Sequence, residues 1–311
     1  MEAAHFRLWN ICTDFVSVVC KDRDTSHGVA HMYTVTERAL FILFSDWCGP
    51  SISKWRSVLT ARVILIAMLH DVNDHKYDVD GALGGRVEKF LKEKILGDEA
   101  VMELLSSPTN EVVTRQGEDD ANGSSFPLFL INYADINDSP KNPCGVDDGV
   151  TSIGIMECIS AISYSAEKKR GQRWFAESKT SCGGAAWVLV RDVVSDADKL
   201  EALGESGLLR CWHYSVESRT ISATTKSHSQ QQQKNSDGEY TLEDEEKGVC
   251  SPAIVSSVLH DVVAHSEEKL LRLVEYFMVT RTGKHVGSQK HKELVTVLEG
   301  WVHRGGPGQN H

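Results

Sequence analysis

The consecutive pair His70-Asp71 closes an almost wholly apolar run, VLTARVILIAMLH, over residues 58–70. An imidazole and a carboxylate emerging together from a rigid apolar helix can serve as adjacent ligands to a metal ion. Alone, such a dipeptide is more often a surface or capping pair, and His260-Asp261 is a second one, also after an apolar stretch. Context separates the two. Upstream of His70, His27 and His31 stand one helical turn apart on one face. Downstream, SDADKLEALG carries Asp196 and Asp198 just before a helical run. Two histidines and two carboxylates from three separated helices make a mixed nitrogen and oxygen set suited to one divalent ion of Mn, Mg, Fe, Co or Zn, and softness does not choose among them. Bland readings stand beside the sharp one. His31 could be a partly buried histidine satisfied by a carbonyl, and His27 a surface residue. Asp198 could be a helix N-cap, a role open equally to Asp196 and Ser195. No His or Asp block surrounds His260-Asp261, which reads as structural.

The elements that must hold these residues are helical. Phe6, Trp9, Phe15, Val18 and Val19 recur near the helical period over residues 1–21. Asp24-Thr25-Ser26 supplies capping residues before a second helix over 27–43. Residues 58–70 are too long for an average strand and read as a buried helix. Further helical patterns cover roughly 86–105, 150–163, 185–213, 253–281 and 289–303, while strand-like alternation is scarce. The expectation is an all-α helical bundle forming one domain over 1–311, with Trp9, Trp187, Trp212 and Trp301 as packing residues. Two polar stretches interrupt it. Residues 106–149 are rich in Asp, Asn, Gly, Ser and Pro, and residues 218–250 include SHSQQQQKNSDGEYTLEDEEKG. Both read as insertions into the helical core, the second too poor in apolar surface to repay ordering. The tail GGPGQNH is expected to fray.

Composition narrows the function. Hydrophobic residues at 41% and charged residues at 25% over 311 positions allow a sizeable core. A net charge of −11 argues against a nucleic-acid partner, which needs clustered Lys and Arg to neutralise phosphates. A small polyanion would have to be met locally, by a metal or a few basic side chains. The eight cysteines lack a CxxC pair and read as reduced core thiols. No window approaches the roughly 20 apolar residues of a spanning helix, and no basic leader precedes an apolar stretch. A soluble cytoplasmic protein without a membrane partner is expected.

Four blocks in order, SHGVAHMYTV, AMLHDVNDHKYD, SDADKLEALGESGLLR and HSEEKLLRLVEYFMVTRTGKHV, resemble the successive blocks of the HD-domain phosphohydrolases. The likeness is to the bacterial-type subgroup of single-domain HD hydrolases, over most of the chain outside the two polar stretches. It implies an HD-type helical domain with His31, His70, Asp71 and Asp198 as metal ligands. It implies that His27 lines the substrate cleft and that Asp74 acts as general base or positions the attacking water. Lys76 would offset phosphate charge. Arg210 and His213 are substrate-binding candidates, about one turn apart if one helix continues from Asp198. Lys269 and Lys284 resemble basic positions of the final block, where the family often has Arg near Lys290. The chemistry implied is metal-assisted hydrolysis of a phosphoester or phosphoanhydride of a small molecule. A nucleotide substrate follows from the resemblance alone. Where the subgroup has Asp after its first His and Arg three residues after the ligand His, this chain has Gly28 and Thr34. That departure motivates an alternative: a catalytically silent metal- or nucleotide-binding protein of the same fold. A third reading is an interaction protein whose polar insertions recruit partners.

Overall fold

The protein is described by a computed structural model covering residues 2–23, 27–47, 55–74, 77–78, 81–106, 150–171, 174, 185–231 and 252–308. Among these residues every regular element is helical, as the sequence predicts. The α-helices are α1 (Ala3–Val19), α2 (Val29–Asp46), α3 (Arg56–Leu69), α4 (Ala82–Phe90), α5 (Glu99–Leu105), α6 (Ser152–Ser160), α7 (Tyr164–Arg170), α8 (Ala185–Glu201), α9 (Gly204–Gln231), α10 (Pro252–Glu268) and α11 (Arg281–Arg304). They divide into two compact units where the sequence suggested one. The first comprises Met1–Lys199 with Tyr276–Lys284, and the second Leu200–Glu275 with His285–His311.

Helix α3 is the centre of the first unit. All of Val58 to Leu69 is buried, as a helix apolar on every face must be. Helices α1, α2, α5 and α6 pack around it. The buried stripes are Leu8, Cys12 and Val16 on α1, and Met32, Val35, Ala39 and Leu43 on α2. The one buried charge of α3, Arg62, donates from Nε to the Leu105 carbonyl at 3.0 Å and lies 4.4 Å over the Trp187 ring. Helix α3 is thereby fixed along its length, and so is the residue that leaves its end, His70.

Helix α8 is held differently, by a buried polar face. Arg191 donates to the Ala161 carbonyl at 3.0 Å and pairs with Glu167 and Asp192. Lys199 reaches Glu167 and Ser195 at 2.7 Å and the Phe277 carbonyl at 3.0 Å. Asp196 accepts from the backbone amide and hydroxyl of Thr280, both at 2.7 Å, and from the Val279 amide. A Cβ on Gly283 would lie 2.6 Å from the Asp196 carboxylate, so only glycine admits this approach.

In the second unit α9 packs against α10, and Trp212 meets Trp301 edge-on at 5.7 Å. Arg219 pairs with Asp261, and the His260 side chain is exposed.

Four expectations change. The helix read over 185–213 is broken: α8 ends at Glu201 and Gly204 takes a φ of +78°, a conformation favouring glycine. Arg210 and His213 therefore stand on α9, a different helix from Asp198. The polar stretch from 218 is helical as far as Gln231, because lengthening an existing helix adds a hydrogen bond per residue without a new nucleus. The helix read over 253–281 ends at Glu268 and is followed by short 3-10 and π-type turns before α11. The capping residues 24–26, the remainder of the second polar stretch (232–250) and nearly all of the first (107–149) lie outside the described residues.

The dependence on α3 is open to a stability test. Leu65→Ala removes a fully buried side chain from the middle of the helix. It should lower unfolding free energy by about 2–5 kcal/mol in chemical denaturation, and a change within error would show that α3 is not the centre of the core.

Candidate metal site

His31 lies in the first turn of α2 and is buried. His70 follows the last residue of α3, still in helical backbone. Its Nδ1 is 2.7 Å from the Ala67 carbonyl, which can only accept, so Nδ1 carries a proton and Nε2 is the nitrogen directed at His31 and Asp198. Asp198 comes from α8. The three ligating atoms converge: His31 Nε2 to His70 Nε2 is 3.3 Å, His31 Nε2 to Asp198 Oδ1 is 3.4 Å, and His70 Nε2 to Asp198 Oδ1 is 3.7 Å. Ligands about 2.0–2.2 Å from a shared cation are separated by such distances. The donor set therefore fits a divalent ion.

Asp71 is not in this group. Its carboxylate instead lies with His27 and Asp74, the ligating atoms within 4.8 Å of one another. His27 and His31 have ring centroids 6.4 Å apart, so the two groups are neighbours. The aspartates of α8 separate as well. Asp196 is spent on Val279 and Thr280, whereas Asp198 faces the imidazoles, which divides the two roles that the sequence left interchangeable. Lys76 lies outside the described residues. Arg210, His213 and Lys269 belong to the second unit, and Lys284 sits in the first turn of α11, where its amide bonds the Thr280 carbonyl. None of these four belongs to either group.

Two contributors escaped the sequence reading. Arg23 donates to the carbonyls of Asp71 at 2.7 Å and Val72 at 2.5 Å, and its guanidinium lies 4.4 Å over the Tyr77 ring. Tyr77 in turn stands 5.6 Å from the His27 ring. A cation on the carbonyls of the turn just beyond α3 satisfies backbone acceptors there and complements the dipole of the helix. Nothing local in KDRD signals this, since the partners are some 48 residues away.

Electrostatics follow from crowding. Burial would raise the Asp198 carboxyl, yet the hydrogen bonds from His31 and His70 hold it well below the usual range. Burial likewise opposes charging His70, but Asp198 and Asp71 outweigh it and raise this imidazole to about 9. Asp71 is pushed up to about 7 by burial, with His70 opposing and Asp198 and Asp74 adding to the rise.

No protein-family profile matches the chain, and no curated protein does. Solved structures do. A Lactobacillus plantarum protein of 15% identity superposes with a TM-score of 0.50, covering 96% of each chain. Bacillus subtilis YpgQ, crystallised in complex with ADP, has 15% identity and a TM-score of 0.47, covering 99% of this chain and 100% of its own. A selenomethionine form of YpgQ gives 15% and 0.47 over 96% and 97%. At such identity the likeness to the Lactobacillus protein concerns the fold. Among the described residues no helix is long and apolar enough to cross a membrane.

Two outcomes follow for metal binding. Without metal His70 keeps its proton up to about pH 9, and a cation must displace it. Mn2+ affinity should therefore rise with pH, by about tenfold per unit between 7 and 9 for one displaced proton. Calorimetry in buffers of different ionisation enthalpy reads that proton directly, and an affinity independent of pH would contradict the ligand role of His70. Arg23→Ala should weaken Mn2+ binding by about 10–100-fold, the usual cost of losing an outer support. Arg23→Lys should not restore it, because one ammonium nitrogen replaces neither the two-nitrogen fork that reaches both carbonyls nor the planar face over Tyr77.

Proposed function

We propose that the chain is a divalent-metal-dependent phosphohydrolase of the HD type, hydrolysing a phosphoester or phosphoanhydride of a small molecule, with nucleotides as the substrate class. The observation that carries this reading is the convergence of His31 Nε2, His70 Nε2 and Asp198 Oδ1 within 3.3–3.7 Å, beside the group His27, Asp71 and Asp74. These six residues are those that the resemblance to HD-domain phosphohydrolases marks as ligands, cleft and water-handling groups. The nucleotide rests on that resemblance.

His31, His70 and Asp198 would hold the ion, with Asp71 next to them in sequence. When bound, a divalent ion lowers the pKa of coordinated water and polarises a phosphoryl oxygen. The chain's own residues supply the rest. The Ala67 carbonyl keeps the His70 proton on Nδ1, so that Nε2 stays a donor of electrons. Arg23 holds the backbone of Asp71 and Val72, which fixes where the Asp71 carboxylate starts. His27 and Asp74 handle the attacking water, orienting it and taking up its proton load. Local cation chemistry is required because a chain of net charge −11 does not attract a phosphorylated anion by its overall field.

The second reading, a silent metal- or nucleotide-binding protein, is favoured by one feature. Thr34 turns its hydroxyl back onto the Ala30 carbonyl at 3.0 Å, and Gly28 caps α2 without a side chain. Neither replaces the Arg and Asp that the subgroup carries there.

Release of phosphate and pyrophosphate from a nucleotide panel, with Mn2+, Mg2+ or Co2+ supplied, separates the two. The native chain should turn over at least one nucleotide. Asp198→Ala should lose metal and cut the rate more than about a hundredfold, beyond the 10–100-fold typical of an outer support. Bound metal with no release from any nucleotide would favour the silent protein, and undiminished turnover in Asp198→Ala would overturn the mechanism.

A further inference from the structure

We propose that Thr280-Arg281-Thr282 is a clasp that sets the separation of two ligand-bearing helices, with Asp46 and Thr282 as positioning residues for the metal site. The proposal rests on the metal reading above and not on hydrolysis. Two carboxylates from different helices grip this segment in the same way. Asp196 of α8 accepts from the amide and the hydroxyl of Thr280. Asp46, the last residue of α2, accepts from the amide of Thr282 at 3.0 Å and from its hydroxyl at 2.5 Å. Each gripped helix also carries a ligand, His31 on α2 and Asp198 on α8. The two helices are therefore joined twice: at the metal site, where His31 Nε2 and Asp198 Oδ1 are 3.4 Å apart, and at the clasp.

Capping of α11 alone asks for less. The first amides of a helix are satisfied by one side-chain oxygen and by water, and the Thr280 hydroxyl supplies that oxygen to the Gly283 amide at 3.0 Å. Two further carboxylates, Asp196 fully buried and the Asp46 side chain 5% exposed, carry a desolvation cost that capping does not require. What they add is direction. A carboxylate bound to both the amide and the hydroxyl of one residue fixes the axial position and the rotation of the helix that carries it. Arg281 adds little, being 80% exposed and reaching Asp46 and the Ser45 carbonyl only at 3.4 Å. From His31 to Asp46 is about 22 Å along α2, at about 1.5 Å per residue. That exceeds the screening length of about 8 Å at physiological salt, so the Asp46 charge contributes little at the metal. An effect of Asp46 on metal binding must travel through the position of the helix.

The test is the Mn2+ affinity of the metal-free full-length chain at about 0.15 M salt, by calorimetric titration, together with the electron paramagnetic resonance line shape of the bound ion. Asp46→Ala should weaken binding about tenfold, as expected for a residue coupled to a remote site, and broaden the spectrum as the ligand geometry loosens. Thr282→Val, which keeps the amide, should weaken binding by a smaller factor, and Thr282→Ser should restore both native values. Val101→Ala removes buried apolar surface from α5, a helix without ligands. It should lower the melting temperature and leave affinity and line shape native. Native values in Asp46→Ala and Thr282→Val overturn the clasp and leave the hydrolase reading standing. An equal loss of affinity in Val101→Ala overturns it too, by making the effect one of general stability. Where Asp46→Ala does not fold, the Thr282 pair decides: weakened binding in Thr282→Val with native binding in Thr282→Ser sustains the clasp, and equal binding in both overturns it. No Mn2+ bound by the native chain overturns the metal site, and both readings with it.

Discussion

The structure turns on one carboxylate shared by two imidazoles. Asp198, itself about a third exposed, faces His31 and His70 at 3.4 and 3.7 Å, and the two imidazoles are almost wholly shielded from water. Bringing such groups together costs desolvation, and the cost is offset only if each is oriented and neutralised by another. The mutual shifts of Asp198 downward and His70 upward are the signature of that offset in the metal-free chain. A divalent ion fits the same place because it replaces a shared proton with a stronger positive centre. Everything nearby serves to keep the three groups from relaxing apart.

Two kinds of packing do this. Helix α3 is located by apolar burial, which is strong but not directional, and its directional anchor is Arg62. Helix α8 is located by hydrogen bonds and ion pairs, since Arg191, Asp192, Ser195, Asp196 and Lys199 are all buried. Buried ion pairs contribute little net stability compared with apolar residues of equal volume, but removing one partner leaves a costly unpaired charge. Such a face resists rotation and sliding of α8. For a helix whose task is to present Asp198, a fixed register matters more than raw stability.

Much of this is legible in the sequence, and the failures have physical causes. The apolar run 58–70 announces α3 because no other element of a globular protein needs thirteen nearly unbroken apolar positions. His27 and His31 declare a shared face through their spacing. The roles of Asp196 and Asp198 stay ambiguous, because which of two nearby helical residues faces the site depends on what α8 packs against, and Thr280 is 84 residues away. Arg23 is invisible for the same reason. The break at 202–204 is a matter of backbone conformation at one glycine, and glycine in a sequence marks freedom rather than its use. The division into two units depends on which helices pair, a long-range property that periodicity does not encode.

The His-Asp dipeptide itself gains a different meaning. Successive residues on a helix point about 100° apart, so His70 and Asp71 at the end of α3 are poorly placed to address one point unless the chain bends between them. His27 and His31, by contrast, lie on one face of the chain entering α2, displaced along it by about one turn, ~5.4 Å. His70 therefore meets His31, and Asp71 meets His27, and each meeting gathers one more carboxylate, from Asp198 in one case and Asp74 in the other. The two neighbouring His/Asp groups thus follow from setting a helix C-terminus against a helix N-terminus. They need no further device than an acidic residue one turn beyond Asp71 and another on α8.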